Sequence, residues 1–353
     1  MAARKRSAPS PKTRPQSREK LTPRGGRKKA AVRKAPKHAL PHIASELVDG
    51  FSYVRKLIRE IPNFPQPGVL FKDITPLLAN PKAFHIVLDA IAERFMGEHI
   101  DAVVGIESRG FIFGGAQAAR LNAMALAAML AEVGINVDCL PLLDVRQPGA
   151  SDIIGDRALG SEPMRVAALG RAILGGLQDG GVVGIVKHIP GHGRALLDTH
   201  EALPVVTATD RELQTDLAPF AALRDAAMAM TCHVIFEAWD PDRPATLSPL
   251  IIDSVIRQRI GFHGLLMSDD LDMKALSGDV PSRAADAVAA GCDIALNCWA
   301  KMDDMVGIAN ALDPISTVSR ARLEGAMDRI SGAGDNRAFA TLVEQRDALL
   351  AVA

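Results

Sequence analysis

The densest chemical cluster in the sequence is Lys187-His188-Ile189-Pro190-Gly191-His192-Gly193, followed by Asp198-Thr199-His200. Pro190, Gly191 and Gly193 exclude a helix, so His188 and His192 are not an i, i+4 metal pair on a helical face. The segment has to be a loop leaving a strand. Asp198 lies two residues before His200, close enough for its carboxylate to hold the imidazole and raise its basicity, as in an acid/base dyad. Two other readings fit the same residues. His188, His192, Asp198 and His200 are ligand types that suit zinc, although their spacing does not. Alternatively, the histidines bond only to loop backbone.

A second cluster is Gly264-Leu-Leu-Met-Ser-Asp269-Asp270-Leu-Asp-Met273. Asp269 ends an apolar run, where a carboxylate is costly without a partner or a task. Ser268, Asp269 and Asp270 are also good helix N-caps, and with several acids together one can cap while another reacts. A carboxylate facing an acid/base group across a pocket is the layout of retaining glycoside hydrolysis. The carboxylate attacks the anomeric carbon while the other group protonates the leaving oxygen.

Both clusters sit at the ends of apolar runs. Strand-like segments occur at Asn136–Val145, Val182–Lys187, Ala227–Val234, Gly264–Met267 and Asp293–Leu296. Helical stretches separate them near Pro163–Leu177, Asp210–Leu223, Ser248–Arg259, Ser282–Ala290 and Lys301–Leu312. Strands alternating with helices predict parallel β/α units. The runs end in Asp144, Lys187-His188, His233, Ser268-Asp269 and Asn297. In a β/α barrel the carboxyl ends of the strands share one face that carries the chemistry. A doubly wound sheet also gathers ligands at strand ends, so the pattern establishes α/β and leaves both architectures open. Upstream, Ser45–Ile61 reads as an amphipathic helix, broken by Pro62, Pro65, Pro67 and Gly68. Pro81–Phe95 reads as a second helix, Asp101–Ile106 as a buried strand, Glu107–Gly110 as a turn and Phe111–Met129 as a helix.

The motifs Lys187–Gly193, Asp198–His200 and Met267–Met273 resemble those of bacterial β-N-acetylhexosaminidases of glycoside hydrolase family 3. Asn136–Val145, Gly155-Asp-Arg157-Ala-Leu and Asp240-Pro-Asp-Arg-Pro-Ala-Thr246 fit the same family. The resemblance runs from about Ala119 to the C-terminus. It implies an incomplete (β/α)8 TIM-type barrel over residues 119–353. It further implies retaining hydrolysis of terminal β-linked N-acetylglucosamine from peptidoglycan-derived muropeptides. Position by position, Asp269 resembles the nucleophile and His200 the acid/base, oriented by Asp198. Lys187, His188 and Arg157 resemble residues that grip the sugar, and His233 joins this substrate-binding set. A histidine acid/base departs from the usual carboxylate pair, so the carboxyl-separation rule does not apply. The implied partner is a small sugar, with no metal, organic cofactor or membrane.

The family's opening strands include one ending in Asp-Gln-Glu-Gly-Gly and followed by an arginine, and that motif does not occur in this sequence. Ile61–Thr75 and Val104–Gly115 instead resemble the N-terminal part of adenine phosphoribosyltransferase, over roughly residues 51–118. This implies a phosphoribosyltransferase-like α/β fragment over 41–118, with Phe71, Lys72 and Arg109 left from a purine pocket. It makes adenine phosphoribosyltransferase the alternative function. That enzyme needs an acid-acid-x-x-Thr-Gly-Gly loop, whose successive backbone N–H groups cradle phosphate. No Thr-Gly-Gly occurs, so the hydrolase reading leads. The join is expected near Gly115–Asn122. Eight strands close such a barrel, and the five read after the join predict unpaired sheet edges.

The chain has 353 residues and balances 41 basic against 41 acidic groups. Residues 1–40 carry 14 Lys/Arg and one acid, leaving 27 basic and 40 acidic groups for the rest. The tail has no aromatic residue and too little apolar surface to offset its ordering entropy, so it is expected to be disordered. The alternative reading of this tail, and the only route to a nucleic-acid partner, is an arm that neutralises phosphates. The longest clean apolar run of the chain, Ala123–Ala131, is far shorter than the roughly 20 residues of a membrane span, and no apolar stretch is expected to follow the basic start as in a secretory signal. Cys139, Cys232, Cys292 and Cys298 show no C-x-x-C pairing and read as reduced, buried residues of a cytoplasmic protein.

Overall fold

A computed structural model describes residues 50–64, 66–78, 80–94, 107–330 and 338–350. The basic tail and the expected strand Asp101–Ile106 lie outside the described residues, as does the Arg109 side chain. Ser45–Ala353 forms one compact unit.

The framework of the site is a five-stranded parallel sheet. Its strands are β3 (Val137–Asp138), β4 (Val183–Ile189), β6 (Met228–Thr231), β9 (Leu265–Asp270) and β10 (Ile294–Leu296), in the spatial order β10-β9-β6-β4-β3. Spatial order follows chain order, with helical connections α4 (Pro163–Asp179), α5 (Asp210–Ala222), the π-helical α6 (Ile251–Ile260) and α7 (Val280–Ala290). A doubly wound sheet would reverse its strand order at a switch point. This sheet never reverses, so it is the singly wound arc of a barrel, open at β3 and β10 among the described residues.

Alternate strand residues face opposite ways. Val186, Ala229 and Leu266 pack outward into one core with Leu213, Phe220, Ile252 and Ile256 of the surrounding helices. Val183, Ile185, Met228, Met230 and Leu265 face the other way and are covered by Leu323, Ala326 and Met327 of α9 (Thr317–Asp328). Both faces are thus buried, which explains the continuous apolar runs of these strands. A small second sheet joins β5 (Val205–Val206), β7 (Ile235–Phe236) and β8 (Asp240–Pro244), and fixes the loops that follow β4 and β6.

The expected helix Ser45–Ile61 is corrected in part. Residues 50–56 are helical, but β1 (Arg59–Pro62) then pairs antiparallel with β2 (Leu70–Asp73). Arg59 Nε donates to Asp73 Oδ2 at 3.0 Å across this pair, holding the extended conformation against local helical periodicity. The expected turn Glu107–Gly110 is also corrected, because it opens α3 (Glu107–Glu132). The join expected near Gly115–Asn122 therefore lies inside an unbroken helix. Phe84 and Leu88 of α2 (Pro81–Arg94) and Ala116 of α3 pack on Ala168 and Ala172 of α4. Arg120 binds Asp89 at 2.7 Å and Asp179 at 2.8 Å, tying α2, α3 and α4 together. Leu342 of α10 (Phe339–Leu350) packs against Leu121, Met124 and Ala125 of α3. No described helix is long and apolar enough to cross a membrane.

Candidate active site

The carboxyl ends of β4, β6 and β9 converge on one edge of the sheet. The apolar stretch before residue 145 leads to Asp144, whose carboxylate is completely buried. It accepts hydrogen bonds from the main-chain N–H groups of His188 (3.2 Å) and His192 (2.7 Å), and pairs with His188 Nδ1 at 2.7 Å. Burial works to raise the Asp144 carboxyl, but the facing histidines and these bonds outweigh it and hold the group below the usual carboxylate range. One carboxylate thus folds the whole Lys187–Gly193 loop back on itself. Gly193 is required there, since a Cβ would overlap the Val145 carbonyl oxygen.

The same loop runs on to His200. Asp198 Oδ1 accepts the His200 main-chain N–H and pairs with His200 Nδ1, both at 2.8 Å. This leaves Nε2 of the exposed ring directed away from the carboxylate. Partial burial acts to raise Asp198, but its bonds to His200 prevail and keep it below its ordinary value. The neighbouring Thr199 carbonyl accepts Ala275 N–H at 3.2 Å. The loop bearing His200 is therefore pinned to the segment that follows Asp269.

Asp269 and Asp270 end strand β9 rather than capping a helix, because the next helix begins at Val280 under the cap of Asp279. Asp269 Oδ1 accepts the Asp270 N–H at 2.9 Å, which orients the carboxylate and leaves Oδ2 for a ligand.

A cavity of about 280 Å³ gathers these groups. Its polar lining includes Arg157, Lys187, His188, His192, His200 and Asp269, and its apolar wall Ile153, Ile154, Met230, Met273 and Leu296. Five of the seven site residues expected from sequence thus share one hollow, and Asp198 supports from behind. The placement of His233 as a sugar contact is corrected. Its ring is completely buried below the cavity floor, with Nδ1 at 2.9 Å from Thr246 Oγ1 and Nε2 at 2.9 Å from the Asp270 carbonyl oxygen. Cys298 is exposed and, with half-buried Cys139, lines the cavity, contrary to the expectation of four buried thiols. Among the described residues no group of three or more His, Cys, Asp and Glu side chains could hold a metal ion. The expected purine contacts sit elsewhere, where Phe71 packs edge-on against Phe64 at 5.2 Å and Lys72 pairs with Glu60. The sequence marks Asp144 as the polar end of an apolar run but assigns it no role, because the loop residues it binds lie more than forty positions away.

Residues 114–333 match the model of the glycosyl hydrolase family 3 N-terminal domain. The chain belongs to this family. It is 38% identical over 219 residues to a β-hexosaminidase of Thioalkalivibrio sulfidiphilus, covering 60% of this chain and 62% of that protein. A β-hexosaminidase of Aromatoleum aromaticum is 37% identical over 60% of this chain and 61% of its own. The family 3 chain therefore spans about three fifths of the length of these curated relatives. Among solved structures, NagZ from Neisseria gonorrhoeae in complex with N-trifluoroacetyl-D-glucosamine is similar at a TM-score of 0.58 and 30% identity, over 66% of this chain and 70% of that one. A stretch of 71 residues is 68% identical to an adenine phosphoribosyltransferase of Sorangium cellulosum, covering 20% of this chain and 36% of that protein.

Proposed function

We propose that the chain is a β-N-acetylhexosaminidase that removes terminal β-linked N-acetylglucosamine with retention of configuration. The observation that carries this reading is the shared hollow. His200 and Asp269 come from separate β/α units and line one cavity large enough for a sugar ring. Family membership and the N-trifluoroacetyl-D-glucosamine bound in the Neisseria structure support it.

In this reading Asp269 Oδ2 attacks the anomeric carbon as the glycosidic bond breaks. His200, held through Nδ1 by Asp198, passes the Nε2 proton to the leaving oxygen. A glycosyl ester of Asp269 results. His200 then takes a proton from water as that water attacks the anomeric carbon. The ester bond breaks, the sugar leaves with retained configuration, and the carboxylate and imidazolium are restored. Lys187, His188 and Arg157 hold the sugar hydroxyls and the acetamido group. The substrates in this reading are muropeptides of peptidoglycan recycling, met in the cytoplasm. The four free thiols fit a reducing compartment.

The identity to adenine phosphoribosyltransferase raises a transferase alternative, but no Thr-Gly-Gly phosphate loop occurs in the sequence.

Hydrolysis of p-nitrophenyl N-acetyl-β-glucosaminide tests the proposal. The protein should release nitrophenol, and Asp269→Asn should lower kcat by roughly a thousandfold or more, as loss of a nucleophile does. His200→Ala should lower it about 10²–10⁴-fold, the usual share of a general acid/base. Undiminished turnover by Asp269→Asn would remove that residue from the mechanism.

A further inference from the structure

Beneath the cavity floor, a set of buried polar groups is connected without a break. The Asp269 N–H donates to Thr231 Oγ1 at 3.2 Å. Thr231 Oγ1 lies 2.7 Å from Thr246 Oγ1, and Thr246 Oγ1 lies 2.9 Å from His233 Nδ1. His233 Nε2 lies 2.9 Å from the Asp270 carbonyl oxygen. Thr231, His233 and Thr246 are all completely inaccessible to solvent.

Proton counting fixes the direction of this ring. The Asp270 carbonyl only accepts, so His233 Nε2 carries a hydrogen. Burial holds the His233 ring below its ordinary value despite the nearby Asp269 and Asp270, so the ring is neutral and Nδ1 is an acceptor. The Thr246 hydroxyl is also within 2.9 Å of the Cys232 carbonyl. That carbonyl also receives the Thr246 main-chain N–H at 3.2 Å, so it keeps a donor when the hydroxyl hydrogen turns to His233 Nδ1, which has no hydrogen of its own in the neutral Nε2–H ring. Thr231 accepts from Asp269 and passes its own hydrogen to Thr246. Every donor then points the same way around the ring, an arrangement in which each bond polarises the next.

We infer that His233, through Thr246 and Thr231, is a positioning residue that clamps the Asp269–Asp270 backbone at both ends and so aims the Asp269 carboxylate into the cavity. It touches no ligand and transfers no proton. The catalytic part of this inference rests on Asp269 being the nucleophile proposed above, whereas the clamp itself is independent of activity.

Two measurements on the full chain separate these parts. Long-range nitrogen–proton correlation spectra of histidine-labelled protein at pH 7 should show His233 as the neutral Nε2–H tautomer. The Nδ1 signal should shift in Thr246→Val, which keeps the shape but removes the hydroxyl. An Nδ1–H tautomer or an imidazolium would overturn the clamp, whether or not the protein hydrolyses anything. In nitrophenyl-glycoside kinetics, Thr246→Val should lower kcat about tenfold with KM unchanged, and Thr246→Ser should restore most of it. An unchanged kcat, or a change confined to KM, would overturn the positioning role. If wild-type protein shows the expected tautomer and no hydrolysis, the clamp stands and the proposed function fails.

Discussion

Three hydrogen bonds converge on Asp144, which is buried behind the cavity and does not line it. The side chains that shape this site are therefore not all side chains that line it. The same holds for His233, whose placement as a sugar contact followed from its position at a strand end. Strand-end position tells that a residue lies near the carboxyl edge of the sheet. It does not tell whether the ring points into the cavity or under it, which depends on one step of the strand's two-residue period. Burial of these histidines has a measurable consequence. His192 and His233 are both held below the ordinary histidine value, chiefly by burial. Below about pH 6.5 the unfolded chain binds protons that the folded chain refuses. Their contribution is thus complete above that pH and is lost as the pH falls through it. Asp216, pushed up by burial despite its partner Arg194, works in the opposite direction at lower pH. The thermal midpoint followed by circular dichroism should decline from pH 7.5 to 5.5, and His192→Gln should flatten the decline. A midpoint that is level over this range in the wild-type protein would contradict this account.

At the scale of elements, the critical contact is between α3 and α4, because α3, which carries the start of the family match at residue 114, packs there on the first helix of the barrel arc. Their approach depends on Gly176 of α4. A Cβ there would overlap the Arg120 carbonyl oxygen and press on Ala123 Cβ at 2.9 Å. Backbone on the far side cannot yield as a side chain can, so Gly176→Ala should destabilise by about 1–3 kcal/mol. The control is Gly325→Ala in α9, where nothing lies within 4 Å. Urea unfolding should show a lower midpoint for the first substitution, with an unchanged slope, and an equal or slightly higher one for the second, since Ala is the better helix former. Equal midpoints for both variants would mean that α3 and α4 do not pack this closely in solution. Neither the length of α3 nor the β1–β2 pair was legible locally. Glu107–Gly110 and residues 57–61 carry mixed local preferences, and contacts distant in sequence decide them.

At the scale of the molecule, the arc of five strands leaves β3 and β10 as edges among the described residues. Next to β10, Trp299, Met302, Met305 and Val306 are between 44% and 69% exposed. An open strand edge beside an apolar surface favours association between chains. Sedimentation velocity should show the average mass rising with protein concentration, and Met305→Lys combined with Val306→Lys should suppress the rise. A concentration-independent monomer would show that this surface is shielded in the folded chain.

The alternation of the five sheet strands with helices between Asn136 and Leu312, the α/β class and the segments bearing Lys187, His200 and Asp269 were determined by the sequence alone. Each is written in short-range patterns of apolar spacing, glycine and proline. Only the tertiary structure decided that the sheet winds in one direction, that Asp144 gathers the Lys187–Gly193 loop, and that His233 lies under the cavity floor. Those features depend on which segments meet across long stretches of chain and on which way each strand turns its alternate side chains, and neither is encoded in any local run of residues.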